Sequence, residues 1–317
     1  MSARSRMTLV AALALLALVL GLSGCATWNA EKRAPALGAF VDIDGERLHV
    51  LDMGPRDGAE PPLVLIHGAS VNMRDMKLAL GDRLAENRRV ILIDRPGRGY
   101  SSRPEGGYRL GVQARLIKGA VDMLGVEQPV VVGQSLGGAV ALRYALDYQD
   151  EMSGLVLLAA VSHEWPGRVA WYNKVSQWPV AGVLLRRLVI PVYGQLAAQS
   201  GVAGSFAPDA PPENYAEDTG LALLFRASDF KANAADLANL KAEIVAQQDR
   251  YSALTLPTAI VTGTGDKTVS PERHSKRLAE DIGGAQLTLL PETGHALHHA
   301  ETETIIAIIR NLTAPQS

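Results

Sequence analysis

Short apolar segments that alternate with helical stretches are the sequence feature that most constrains the fold. Each segment is three or four residues long and is bounded by glycine, proline or charged residues. Such segments are typical of parallel strands that are buried on both faces, and the helices between several of them provide the crossover connections. The pattern predicts a doubly wound α/β fold. The segments are residues 63–66, 90–93, 130–132, 155–158, 259–262 and 287–290.

Residues 40–51 precede these segments and follow a different pattern. Apolar and polar residues alternate on both sides of Asp44-Gly45, a pair that favours the type I′ turn of a β-hairpin. An opening hairpin brings the predicted sheet to eight mostly parallel strands. Ligands of such sheets bind beyond the carboxyl ends of the strands, so we expect the reactive residues there.

A long insertion interrupts the alternation of strands and helices. About 100 residues separate the fourth apolar segment from the fifth, whereas a crossover needs only a few dozen. The interval contains Trp165, Trp171 and Trp178, an apolar stretch at 180–192, a proline-rich loop at 208–212 and a patterned helix near 236–247. We predict a helical cap over the carboxyl edge of the sheet.

The first 24 residues have the order of a secretory signal, with two arginines, an apolar run over residues 7–22 and small residues before a cysteine. The run is shorter than the roughly 20 residues of a spanning helix. Residues 22–25, Leu-Ser-Gly-Cys, resemble the lipobox of bacterial lipoproteins. The resemblance implies a lipid anchor on Cys25, with palmitate among its acyl groups, and a location outside the cytoplasm. Ala26 favours the outer membrane, and an uncleaved anchor with an incidental cysteine is the alternative.

These patterns divide the chain into four parts. Residues 26–37 are polar and small, which is typical of a tether. We predict a lipoprotein signal peptide over residues 1–24, a tether over 25–38, an α/β core over 39–160 and 252–317, and a helical cap over 161–251.

Charge and cysteine content exclude several classes of function. The chain has 31 Lys and Arg residues against 33 Asp and Glu residues and no long basic block, so we expect no nucleic-acid partner. A single cysteine excludes an intramolecular disulfide, a cysteine-rich zinc site and an iron–sulfur cluster. The glycines at 263 and 265 complete neither a dinucleotide nor a phosphate-loop motif, so no cofactor is expected.

A Gly-x-Ser-x-Gly pattern follows the third apolar segment and opens a helical stretch. Between a strand and a helix, this pattern is typical of a nucleophile elbow, whose sharp turn strains the serine backbone and exposes the hydroxyl. The glycines at 133 and 137 avoid clashes across the turn. Ser135 is therefore the candidate nucleophile, and the Leu136 N–H at the helix start is a candidate oxyanion donor. A chance glycine–serine turn is the alternative.

A nucleophilic serine needs a general base that is itself oriented by an acid. His295 follows the sixth apolar segment and Asp266 follows the fifth, so we expect both at the carboxyl edge of the sheet. Glu164, after the fourth segment, is the alternative acid. We favour Asp266 because of its Gly-x-Gly-Asp loop.

Three histidines within five residues, His295, His298 and His299, also suggest a zinc site. The segment lacks the His-Glu-x-x-His motif, and no predicted helix places its histidines as an i, i+4 pair. We therefore assign no metal ligand.

Two further segments carry a family resemblance. His67-Gly68 resembles the His-Gly turn of α/β-hydrolases, and residues 94–101 resemble their Asp-x-Pro-Gly-x-Gly-x-Ser loop. Together with the elbow and the order Ser, Asp, His, the resemblance to the α/β-hydrolase superfamily covers the chain from residue 40 to its end. It implies that the Ala69 N–H is the second oxyanion donor, that His67 supports this loop, and that residues 94–101 shape the pocket wall.

The resemblance also implies a reaction. It points to a serine hydrolase that cleaves carboxylic esters of apolar acyl substrates through an acyl-enzyme. Epoxide hydrolases and haloalkane dehalogenases of the superfamily carry aspartate at the elbow, so Ser135 argues against both. A carbon–carbon bond hydrolase or perhydrolase-like enzyme with the same triad, and a non-catalytic binding protein, are the alternatives. The oligomeric state is left open.

Overall fold

The structure is a computed structural model that describes residues 3–167 and 169–313. Three parts of the sequence-based predictions lie outside the described residues. They are residues 1–2 of the predicted signal peptide, Arg168 in the predicted cap and residues 314–317 of the predicted core.

One eight-stranded sheet forms the centre of the described chain. Its strands are β1 (Ala39–Ile43), β2 (Glu46–Met53), β3 (Leu63–Ile66), β4 (Val90–Ile93), β5 (Val130–Gln134), β6 (Gly154–Leu158), β7 (Thr258–Gly263) and β8 (Gln286–Leu290). Their spatial order is β1-β2-β4-β3-β5-β6-β7-β8. β2 is antiparallel to its two neighbours, and every adjacent pair from β4 to β8 is parallel. The predicted fold class is confirmed.

Helices lie on both sides of the sheet and above its carboxyl edge. The α-helices are α1 (Ala3–Arg33), α2 (Met73–Met76), α3 (Asp82–Leu84), α4 (Leu110–Met123), α5 (Leu136–Tyr148), α6 (Trp171–Val175), α7 (Ala181–Leu184), α8 (Gln195–Phe206), α9 (Tyr215–Asp218), α10 (Ala227–Val245), α11 (Arg277–Asp281), α12 (Leu297–Ala300) and α13 (Thr302–Thr313). π-Helical turns cover Lys77–Gly81, Leu185–Gly194 and Glu272–Lys276, and 3-10 turns cover Gln149–Glu151, Leu221–Phe225 and Gln248–Ala253.

Burial explains why the central strands carry continuous apolar runs. β3, β4, β5, β6 and β7 are buried at every position, with one apolar cluster on each face of the sheet. The opening hairpin also has its predicted turn, because Asp44 and Gly45 both have positive φ, at 52° and 82°. β8 differs from the prediction of two-sided burial. It is the last strand of the sheet, and Leu289 on it is 39% exposed.

The segment between β6 and β7 contains helices α6 to α10, and buried polar bonds join it to the core. Asp236 on α10 accepts a 2.8 Å hydrogen bond from Arg95, and both side chains are at most 1% exposed. Asp236 also accepts a 2.6 Å hydrogen bond from Arg103. Since a buried charge is costly without a partner, these pairs fix the position of α10 on the core.

The N-terminal segment differs from the predicted tether. Residues 25–33 are the last part of helix α1, and Ala30 and Ala34 are buried against Leu223 of the insertion. Alanine and the charged residues 31–33 have high helix propensity, and this packing retains the helix. Cys25 is exposed on α1. Among the described residues, no helix has the length and apolarity to cross a membrane.

Candidate active site

The turn between β5 and α5 holds Ser135 in a strained conformation. Its φ and ψ are 54° and −117°, which is rare for a residue other than glycine. The Ser135 N–H donates to the Leu158 carbonyl at 2.9 Å. A Cβ at Gly137 would press against the backbone carbonyl oxygens of Ile66 and His67. The turn therefore needs a glycine at this position and lies tightly against the loop after β3.

His295 and Asp266 form a hydrogen-bonded pair beyond the ends of β8 and β7. His295 Nδ1 donates to Asp266 Oδ2 at 2.7 Å, so Nε2 is the imidazole nitrogen that can accept a proton. The other carboxylate oxygen accepts from the N–H groups of Thr268 and Val269 at 2.7 and 2.9 Å. Glu164, the alternative acid, is exposed. The structure therefore pairs His295 with Asp266 and not with Glu164.

Ser135 and His295 line one cavity, together with Gln134. Gln134 Nε2 lies 3.4 Å from His295 Nε2 and 3.4 Å from its carbonyl oxygen. The amide therefore contacts the imidazole nitrogen that would accept the serine proton. Sequence reasoning missed Gln134, although its place directly before the candidate nucleophile is a signal that could have identified it.

The predicted oxyanion donors come from two elements that adjoin the cavity. Ala69 follows β3 and lines the cavity. Leu136 is the first residue of α5, and the N–H groups of a first helical turn have no acceptor within the helix. The insertion is bonded to the loop that contains Ala69. Ser70 N–H donates to Asn233 Oδ1 at 2.7 Å, and Asn233 Nδ2 donates to Ser70 Oγ at 3.1 Å. The sequence analysis did not identify Asn233 as a residue of the site.

His67 and Arg95 fix the backbone below Ala69. Arg95 donates to the carbonyl oxygens of His67 and Gly68 at 3.0 Å, and its N–H donates to His67 Nε2 at 3.0 Å. The other His67 nitrogen lies 2.9 Å from the Gly68 carbonyl oxygen. Burial and the neighbouring Arg95 charge lower the pKa of His67 to about 3. A neutral His67 therefore donates from Nδ1 and accepts at Nε2.

The cavity lies between the insertion and the carboxyl edge of the sheet. It has a volume of about 590 Å³. Its apolar wall comes mainly from the insertion, and no lysine or arginine is among the described residues that line it. The apolar lining residues include Trp171, Leu185, Val189, Ile190, Leu224, Phe225 and Phe230.

The loop at residues 94–101 is not where its resemblance implies. None of its residues is among the described residues that line the cavity. Asp94 instead accepts hydrogen bonds from the N–H groups of Met73 and Tyr100, at 2.9 and 3.0 Å, and from the Ser101 hydroxyl through its carbonyl. The loop packs under the Ala69 loop because these buried bonds hold it there, so the expectation that it shapes the pocket wall is wrong.

A second polar group borders the cavity. Asp75 lies 2.8 Å from His298 Nε2 and 2.9 Å from His299 Nε2, and it accepts a 2.6 Å hydrogen bond from the Tyr215 hydroxyl. The structure thus joins His298 and His299 to Asp75 and not to His295. Sequence reasoning could not find Asp75, which is 223 residues from His298.

Comparison with known proteins agrees with this architecture. A family model described as alpha/beta hydrolase fold matches residues 61–182. The 2-hydroxymuconate semialdehyde hydrolase of Pseudomonas putida is 27% identical over 304 residues, covering 90% of this chain and 97% of that protein. Haloalkane dehalogenase 2 of Mycobacterium tuberculosis is 29% identical over 288 residues, which cover 87% of this chain and 94% of that protein. An alpha/beta hydrolase fold protein from Burkholderia ambifaria matches in structure with a TM-score of 0.72 and 23% identity, covering 86% and 97%.

The chain has the α/β-hydrolase fold, and the family model matches it over residues 61–182. Its similarity to hydrolases extends over most of both chains in each comparison. The names of these α/β-hydrolases describe reactions at different bonds, so the comparisons support a hydrolase as the class of enzyme. The bond that is cleaved has to be argued from the residues of the cavity.

Proposed function

We propose that this α/β-hydrolase is a serine esterase that cleaves carboxylic esters of apolar acyl groups. One observation carries the proposal. Ser135, in its strained turn, lines the same cavity as His295, whose imidazole is bound to the Asp266 carboxylate. A nucleophile, a general base and an acid that orients the base are the groups that acyl transfer requires.

The reaction follows from these groups. Ser135 Oγ attacks the ester carbonyl carbon while His295 Nε2 takes the hydroxyl proton, and the N–H groups of Ala69 and Leu136 stabilise the oxyanion. The C–O bond to the alcohol then breaks, and the alcohol leaves with the proton from His295. Water, deprotonated by the same imidazole, attacks the acyl-enzyme and releases the acid and free Ser135.

The charge of the cavity favours a neutral substrate. No cationic side chain is among the described lining residues, and Asp75 adds a carboxylate to the wall. An anionic substrate would find no lysine or arginine side chain among these residues to pair with, which is costly in a partly desolvated site. The apolar wall suits an uncharged acyl chain. These features support an ester over a substrate that carries its own carboxylate, as the name of the Pseudomonas relative implies for that enzyme.

The test is turnover of p-nitrophenyl esters together with labelling by a fluorophosphonate probe. We expect the natural chain to be labelled once, and Ser135→Ala to lose labelling and about 10⁶-fold in kcat. Both are read on folded protein, checked by circular dichroism. An equally labelled Ser135→Ala variant, or a folded natural chain that is neither labelled nor active on any ester, would contradict the proposal.

A matched pair of acid variants serves as the control. We expect Asp266→Asn to lower kcat by about 10⁴-fold because the imidazole loses its orienting carboxylate. Glu164→Gln should leave kcat unchanged, since Glu164 is exposed and does not line the cavity in the described part of the chain. A larger loss in the Glu164 variant would reverse the assignment of the acid.

We also propose that the protein is anchored to a bacterial membrane, on the extracytoplasmic side, through acylation of Cys25. The Leu-Ser-Gly-Cys sequence supports this proposal. Acyl chains contribute about 0.8 kcal/mol per buried methylene, so two or more give stable attachment. We expect cells fed a palmitate analogue to label the natural chain and not Cys25→Ser. Equal labelling of both would contradict the anchor.

A further inference from the structure

Asp75, His298 and His299 place three potential metal-ligand atoms close together. One Asp75 carboxylate oxygen and one imidazole nitrogen from each histidine lie within 4.8 Å of one another. Consecutive residues of a helix project about 100° apart and do not normally face one target. His298 and His299 are consecutive on α12, yet both imidazoles converge on the Asp75 carboxylate. A single hydrogen bond between one histidine and Asp75 does not explain why both rings face the same carboxylate.

We propose that Asp75, His298 and His299 bind a divalent transition metal of the zinc class at the wall of the cavity. Zinc binds two imidazoles and a carboxylate in many proteins, at about 2.0–2.2 Å. A tetrahedral ion then separates its ligand atoms by roughly 3.3 Å. The Asp75 oxygens lie 2.8 and 2.9 Å from the two imidazole nitrogens, so an opening of about half an ångström admits the ion.

Neighbouring side chains fix the ligands as the outer residues of metal sites do. The Tyr215 hydroxyl donates to Asp75 at 2.6 Å, and the Tyr215 and Phe206 rings lie 5.2 and 5.4 Å from the His299 ring. Such outer contacts set ligand orientation and tune affinity. Asp75 and His298 also line the cavity, so a fourth coordination position faces the space in which a small molecule would bind.

The test is a calorimetric titration of the chelator-treated full chain with Zn²⁺ at pH 7.5. We expect one Zn²⁺ per chain with a Kd below about 1 µM. His299→Gln and Asp75→Asn should each weaken binding at least about 100-fold, and Tyr215→Phe, which removes an outer contact, by about 10-fold. Co²⁺ added to the same chain should give the absorption bands of nitrogen and oxygen ligands, and these should be absent from His299→Gln.

The matched control is His163→Asn, which removes an imidazole that is paired with Asp281 at 2.6 Å outside the cluster. This variant and Ser135→Ala should bind Zn²⁺ like the natural chain. Circular dichroism checks each variant, and if Asp75→Asn fails to fold, the His299→Gln variant carries the test. No saturable binding, binding that persists in His299→Gln, or binding that is lost in His163→Asn would overturn the proposal.

Discussion

The sheet core and the inserted helices bury apolar residues to very different extents. Strands β3 to β7 have no exposed position. In the insertion, Trp171, Val180 and Leu196 are 70%, 72% and 77% exposed. Apolar residues of strands β3 to β7 therefore pack the core, whereas those of the insertion are divided between the cavity wall and the surface.

This contrast separates two kinds of function within one molecule. The core holds Ser135 and the His295–Asp266 pair through backbone geometry and buried hydrogen bonds. The insertion supplies most of the cavity wall. We therefore expect changes in the core, or where the insertion is bonded to it, to affect stability, and changes in the cavity wall to affect the choice of substrate.

The largest expected effect comes from a variant that removes a buried ion pair between the insertion and the core. Asp236→Asn removes the anionic partner of the fully buried Arg95 and should lower the free energy of unfolding by about 3–5 kcal/mol. Asp44→Asn, at an exposed ion pair with Arg115, should cost at most about 1 kcal/mol. Urea denaturation measures both values. Equal losses would mean that the buried pair does not hold the insertion on the core.

A pair of glycine variants tests the two regions directly. Gly137→Ala places a methyl group against the carbonyl oxygens of Ile66 and His67 and should cost about 1–3 kcal/mol in free energy of unfolding. Gly204→Ala, on α8 of the insertion, meets nothing within 4 Å and should raise that free energy by up to about 1 kcal/mol. Thermal and urea unfolding give the comparison. A stabilised Gly137→Ala variant would refute the tight turn.

The smallest expected effect distinguishes residues of the insertion that line the cavity from those that lie only on the surface. Trp171 lines the cavity and is 70% exposed. Trp171→Ala should lower kcat/KM about 10-fold for long-chain p-nitrophenyl esters, equivalent to about 1.4 kcal/mol, and change stability by less than about 0.5 kcal/mol. Trp178→Ala is the control, since Trp178 is exposed and is not among the described cavity residues. Equal losses in both variants would remove Trp171 from the substrate site.

Much of the core was predictable because its signals are local. The elbow pattern predicts a turn that only a few neighbouring residues specify, and Asp266 and His295 each follow a segment that forms a parallel strand. Since parallel strands end at one edge of a sheet, sequence position alone predicts that these residues gather there. β8 was misjudged because its exposure depends on its place at the end of the strand order.

Contacts between residues that are far apart in the chain could not be predicted from the sequence. Asn233 and Ser70 are 163 residues apart, and Tyr215 and Asp75 are 140 residues apart. No periodicity or turn signal links such positions. The same holds for residues 26–33, where the local composition is typical of a tether but packing on the insertion produces helix.

The sequence by itself determined the alternation of strands and helices, the elbow at Ser135 and the chain order of the three candidate triad residues. These features depend on backbone sterics and on burial patterns that repeat within a few residues. The tertiary structure alone decided that Asp266 rather than Glu164 contacts His295, and that His298 and His299 meet Asp75. Such pairings arise from how the insertion and the loops pack on the sheet, because side chains far apart in sequence become neighbours only when the whole chain has folded.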